Sequence, residues 1–176
     1  MDQTLPKPPN APSHSKDVFL RSVLRELVGI LEQTIGEHEA EAYVNYVGLM
    51  LGRALHKTYL EAFSVSRLDP RQIASTLVDL KTRIDGDFTI ESMDAESIIL
   101  VNSACPFGEH VIGRPSLCRM TANVFGFITA ENLGYSRVVI TEAIARGDSG
   151  CRVVINLTKS EAPSSTLETE FFGADR

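Results

Sequence analysis

Three cysteines and one histidine hold most of the reactive chemistry open to this chain. Cys105 and His110 lie in the stretch Cys105-Pro106-Phe107-Gly108-Glu109-His110, Cys118 stands further along in Pro115-Ser116-Leu117-Cys118, and Cys151 follows the turn Gly147-Asp148-Ser149-Gly150. An odd number of thiols argues against a disulfide framework in a reducing compartment, and leaves metal ligation, a reactive thiolate or burial as a small hydrophobe. Three thiolates with a fourth donor drawn from His110, Glu109, Asp148, Asp85 or Asp87 would suit zinc or an iron–sulfur cluster. A nucleophilic Cys118 or Cys105 would instead need a base within hydrogen-bond reach, and His110 is the neighbour in sequence. The spacings between the cysteines match no compact zinc motif, so the donor types permit a metal without dictating one. His14, His38 and His56 fall on other segments and are assigned no role.

The elements that must position these residues follow from hydrophobic periodicity. Residues 1–15, with Pro6, Pro8, Pro9 and Pro12, read as a disordered lead-in. Phe19, Leu20, Val23, Leu24, Leu27, Ile30, Leu31 and Ile35 recur at helical spacing from Lys16 up to a stop at Gly36. A second helix runs from Glu37 to about Phe63. Its Gly48 and Gly52 stand four apart and let another helix approach closely, either within one subunit or across a dimer. Asp69-Pro70 caps and opens a third helix to about Arg83, with Ile73, Leu77, Leu80 and Ile84 on one face.

The period then changes to that of strands. Residues 88–93 and 97–102 form two strands joined by the turn Asp94-Ala95-Glu96. A helix over about 117–132, stopped by Gly134, leads to strands over 135–145 and 151–157. Residues 16–158 therefore form one α+β domain: N-terminal helices followed by a ββαββ unit with a four-stranded antiparallel sheet. Residues 159–176 read as a polar C-terminal tail. If neighbouring strands are antiparallel, the second strand ends, the fourth helix begins and the third strand turns at the same end of the domain. Cys105, Cys118 and Cys151 then meet at one edge. A thiol in the first turn of a helix also feels the positive end of the helix dipole, which favours thiolate at Cys118.

Composition narrows the function. The chain has 176 residues, 43% of them hydrophobic and 23% charged, with a net charge of −6. That balance suits a globular domain and disfavours a nucleic-acid partner, because phosphate binding needs a basic face. No apolar run approaches the ~20 residues that span a bilayer, and the start lacks the apolar core of a signal peptide. A cytoplasmic location, with no membrane partner, is expected.

The residues also carry a resemblance. Asn102-x-x-Cys105-Pro106-Phe107-Gly108, Pro115-x-Leu117-Cys118-x-Met120-Thr121, Phe125-Gly126, Gly134-Tyr135 and Ile144-Ala145-x-Gly147-Asp148-x-x-Cys151-x-Val153 resemble the methanogen output domain. This is a cysteine-bearing module found beside signalling domains. More distantly they are similar to 4-vinyl reductase ligand-binding domains and to the C-terminal half of iron–sulfur-dependent suf-operon repressors. The likeness is close over 86–157 and looser over 36–63. It implies a sensory or output module, often a homodimer, acting through a signalling partner protein. It also implies Cys105, Cys118 and Cys151 as ligands of an iron–sulfur cluster, although the chain has no fourth cysteine. Three functions stand at this point: a non-enzymatic sensory domain binding a metal, cluster or small ligand; a thiol-dependent hydrolase using Cys118 or Cys105; and a structural homodimer with inert buried cysteines.

Overall fold

Helix α1 (Lys16–Ile35) starts where the Ser15 hydroxyl accepts a hydrogen bond from the Val18 amide, and it ends at Gly36, whose φ of 92° no β-carbon would favour. Helix α2 (Glu37–Phe63) follows at once. The computed structural model describes residues 15–159 and 168–174. The lead-in before Ser15, and 160–167 and 175–176 of the C-terminal tail, lie outside the described residues. Helix α3 (Pro70–Thr82) carries the expected cap in full: Asp69 accepts from the Gln72 amide while the Gln72 side chain accepts from the Asp69 amide.

Strands β1 (Thr89–Met93) and β2 (Ser97–Asn102) form a hairpin closed by Asp94, whose Oδ1 accepts from the amides of Glu96 and Ser97. A long loop with short 3₁₀ turns at Gly108–Val111 and Pro115–Leu117 leads into α4 (Cys118–Leu133). Strand β3 (Tyr135–Glu142) and strand β4 (Cys151–Asn156) flank a third 3₁₀ turn at Ile144–Arg146. The third strand therefore stops three residues short of Ala145, its register shifting between Ile140 and Glu142.

The sheet has five strands in the order β1-β2-β4-β3-β5, all pairs antiparallel. The sequence reading of four strands is corrected by β5 (Glu168–Phe172), which lies in the stretch expected to be a polar tail and pairs with β3. Its Phe171 is buried against α4 at Gly126, where an added β-carbon would come within 2.1 Å of the ring. Ile98 and Leu100 of β2, Val138 and Ile140 of β3 and Val153 and Ile155 of β4 form the covered face of the sheet, under Phe125 and Ile128 of α4. Helix α2 packs over α4 with its Ala40, Val44, Gly48 and Gly52 face. A β-carbon at Gly48 would meet Asn123 Cβ at 2.7 Å, and one at Gly52 would meet Phe127 Cβ at 3.2 Å. The close approach that those glycines permit is thus made inside the chain, between α2 and α4.

Candidate functional site

The strand directions bring the three cysteines together. Residues of one parity in a strand share a face, so Cys151 points with Val153 and Ile155 toward α4. Asn102 stands opposite Cys151 in the β2–β4 ladder. Its side chain ties the two strand ends, Oδ1 accepting from the Cys151 amide at 2.9 Å and Nδ2 donating to the Ala104 carbonyl at 2.7 Å. Gly150 must be small here, because a β-carbon would lie 2.3 Å from the Asn102 carbonyl oxygen. Cys118, Thr121 and Phe125, spaced three and four apart, share one stripe of α4.

Cys105 is placed by an anchored loop. Asp87 accepts from the amides of Ser103 and Ala104 at 2.9 and 2.7 Å and from the Ser103 hydroxyl at 2.6 Å. That hydroxyl, followed by the two amides, holds the Asp87 carboxyl below its ordinary value. Pro106 then packs against Gly86, whose missing side chain leaves the room.

The three thiols line one cavity of ≈ 20 Å³, about the space of a single water, together with Phe88, Phe107 and Thr121. Pro106, Phe107 and Thr121 also line a second, larger space of ≈ 420 Å³. This groove runs between Leu20 and Leu24 of α1, Leu51 and Leu55 of α2, and Met120 and Val124 of α4.

Lys81 of α3 also lines the groove, and the sequence reading passed over it. It is 5% exposed, and its Nζ donates to Thr121 Oγ1 at 2.7 Å. The Nζ stands 5.8 and 5.5 Å from the ring centroids of Phe88 and Phe125. Burial pulls its pKa down from 10.5 to about 8, against the opposing influence of the Cys105, Cys118 and Cys151 thiols. A signal was present in the sequence: Lys81 continues the buried stripe of Ala74 and Leu77 at helical spacing, whereas Ile84, assigned to that face, is exposed.

The thiols themselves are not thiolates in waiting. Burial raises Cys105 and Cys151, and pushes Cys118 up to about 12, with the neighbouring Cys151 and Cys105 adding to the rise. The expected help from the helix dipole at Cys118 is overturned, because desolvation at this apolar edge is the larger effect. His110 stands apart from the residues that line the cavity. Its Nε2 is 3.0 Å from Ser22 Oγ, and its carbonyl accepts from Arg25, both on α1. Three of the other candidate donors serve structure: Asp87 anchors the loop, Asp148 accepts from the Ala143 amide, and Asp85 pairs with Arg21. Among the described residues no three His, Cys, Asp or Glu side chains are gathered so as to hold a metal ion. The donor set as it stands does not fit a zinc ion or an iron–sulfur cluster.

The loop that walls the cavity is clasped from outside by α1. Arg25 also donates to the Ile112 carbonyl at 2.8 Å, and Glu32 accepts from Ser116 Oγ at 2.5 Å and pairs with Arg114 at 3.3 Å. Val28 of α1, Val44 of α2, Val111 and Leu117 of the loop and Met120 of α4 form a small core beneath it, against which Cys105, Phe107 and Cys118 pack.

Among the described residues no helix is long and apolar enough to cross a membrane. No curated protein matches the chain. Among solved structures, the phenol-responsive sensory domain of the transcription activator PoxR, with phenol, is similar in fold. It aligns with a TM-score of 0.62 at 15% identity, over 77% of this chain and 73% of that one. The family profile described as methanogen output domain 1 matches residues 23–156, which takes in α1 from Val23 onward, α2 to α4, β1 to β4 and all three cysteines, and the chain belongs to that family.

Proposed function

We propose that this chain is a non-enzymatic sensory or output domain that takes a small ligand in the groove and cavity beside its three thiols, and signals occupancy through α1 and α2. The observation that carries this reading is the double role of the loop 103–117. Phe107, Val111 and Leu117 line the cavity from one side, while Ser22, Arg25 and Glu32 of α1 hold the same loop from the other. A ligand that displaces Phe107 must shift the segment that α1 grips, so binding and helix position are mechanically coupled. The groove's volume falls in the range that encloses small molecules, and its walls set five leucines and Met120 beside five charged side chains, Lys81 among them. The family's output role and the fold shared with a phenol-responsive domain support a small organic effector.

The competing chemistries meet physical obstacles. A metal or cluster on Cys105, Cys118 and Cys151 would require the sulfurs to close in and to lose protons that burial holds. A hydrolase would need a thiolate and a base, and His110 is engaged with α1. Titration of the isotope-labelled protein with phenol and other small aromatics tests the reading. Saturable shifts of the Phe107, Cys118 and Thr121 amides, extending to Arg25 and Glu32, are expected. Shifts scattered over the surface, or none with any member of the series, would contradict it.

The output partner in this reading is a second copy of the chain. Glu39, Tyr43, Tyr46, Met50, Arg53 and Lys57 of α2 are all exposed and alternate in steps of four and three, the spacing of a helix–helix seam. Tyr46 is 66% exposed, and Phe19 and Ile30 of α1 are 59% and 58% exposed. Two antiparallel α2 helices related by a two-fold axis level with Gly48 set Glu39 opposite Lys57, Tyr43 opposite Arg53 and Tyr46 opposite Met50. The stripe is complementary to itself in charge as well as in apolar character. The glycine face is occupied by α4, so this seam lies on the opposite side of the helix.

A further inference from the structure

The groove contains a buried positive charge that none of the described residues neutralises. Lys81 Nζ carries three N–H donors, and Thr121 Oγ1 takes one. The Phe88 and Phe125 rings attract the cation weakly, and the carbonyl end of α3 favours a basic residue in its last turn. Among the described residues, no carboxylate lies within ion-pair distance of it. Asp85, at the mouth of the groove, pairs with Arg21, as does Asp17. The three nearby thiols are held protonated by burial. A buried ammonium without a counter-ion is costly to fold around, and such groups are found paired when they persist. Methionine would fill the same volume without that cost, so the charge has a use that packing does not explain.

The geometry points to Lys81 and Thr121 as an anion-recognition subsite, and to a small organic acid with an apolar body as the ligand of the groove. One acidic oxygen accepts from Lys81 Nζ, the Thr121 hydroxyl donates to it or to its neighbour, and the body lies along Leu20, Leu24, Leu51 and Leu55. This rests on the ligand-binding reading above and narrows it from any small organic effector to a carboxylate or phenolate. An ion pair made by a side chain this buried is stronger than one at a surface, and it offsets the cost of desolvating the ammonium.

Two carboxylates of different source, benzoate and hexanoate, can be compared by calorimetry with their neutral counterparts, benzyl alcohol and hexanol. The full chain, Lys81→Met and Thr121→Val are each titrated, with thermal melts to establish that the variants fold. The expected result is at least about tenfold tighter binding of one or both acids than of the matching alcohol. That preference is abolished in Lys81→Met and weakened in Thr121→Val. Which acid binds better decides between an aromatic and an aliphatic source. Equal affinity for acid and alcohol, or an acid preference that survives Lys81→Met, would overturn the inference and leave small-ligand binding standing. Failure of all four probes to bind would overturn it too, while the wider aromatic titration decides the ligand-binding reading separately.

Discussion

Lys81 is the residue at which stability and function part company. Its pKa in the fold is about 8 against an ordinary 10.5. Between those values the unfolded chain holds a proton that the native state has lost, so stability rises with pH across that window. At pH 7 both states are protonated and the whole cost is present. Cys118 acts the other way: raised from 9.0 to about 12, it keeps a proton that the unfolded chain loses, so its contribution falls with rising pH above 9. Lys81→Met is therefore expected to be more stable than the natural chain at pH 7, on the order of 2–3 kcal/mol. The gap should narrow as pH rises from about 8 toward 10, which urea titrations at several pH values would measure. A destabilised Lys81→Met at pH 7 would mean that the ammonium already has a strong partner. Lys81 is only faintly legible in the sequence for a plain reason: a lysine near a helix end reads as solvated, and its one signal is its place on the stripe of Ala74 and Leu77. The cysteines were legible because strand direction alone brings Asn102, Cys118 and Cys151 to one end.

At the scale of elements, the loop and the helices that grip it decide how the site behaves. Gly126→Ala would drive a β-carbon into the Phe171 ring, so it should release β5 from α4 and cost roughly 1–3 kcal/mol by denaturant unfolding. Asp87→Ala removes the acceptor for two loop amides and a hydroxyl. It should leave the helices intact by circular dichroism while speeding hydrogen exchange at Ser103 and Ala104. Because the Asp87 carboxyl is held below its ordinary value, that anchoring is present above the ordinary aspartate range and is lost as pH falls through the lowered value. The four helices and first four strands could be read from the sequence because each carries its own period and stop signals, such as Gly36, Asp69-Pro70 and Gly134. Strand β5 could not, because Glu168-Thr169-Glu170-Phe171-Phe172 shows no clean alternation and its partner, β3, is distant in sequence. Likewise the glycines on α2 announced a close helix contact without saying whose. Only the packing of α4 against them decides that.

At the scale of the whole molecule, one loop joins a buried site to the helices whose outer face is exposed. If α2 pairs with its own copy about Gly48, Met50→Glu should convert a dimer to a monomer in sedimentation. Glu39→Lys should weaken the dimer, and the swap Glu39→Lys with Lys57→Glu should restore it, most clearly at low salt. A natural chain that sediments as a monomer at every concentration would remove this output surface and leave the ligand site to be judged alone. That site is tested most directly by the reactivity of its three thiols. In the natural chain Cys105, Cys118 and Cys151 should alkylate slowly with N-ethylmaleimide, Cys118 slowest, because burial holds each as the thiol. Residue-resolved mass spectrometry of alkylation, with and without a ligand found by titration, reads all three at once. A bound ligand is expected to change all three rates together, with the same saturation curve as binding. A ligand that binds and stabilises the protein while leaving all three rates unchanged would contradict it.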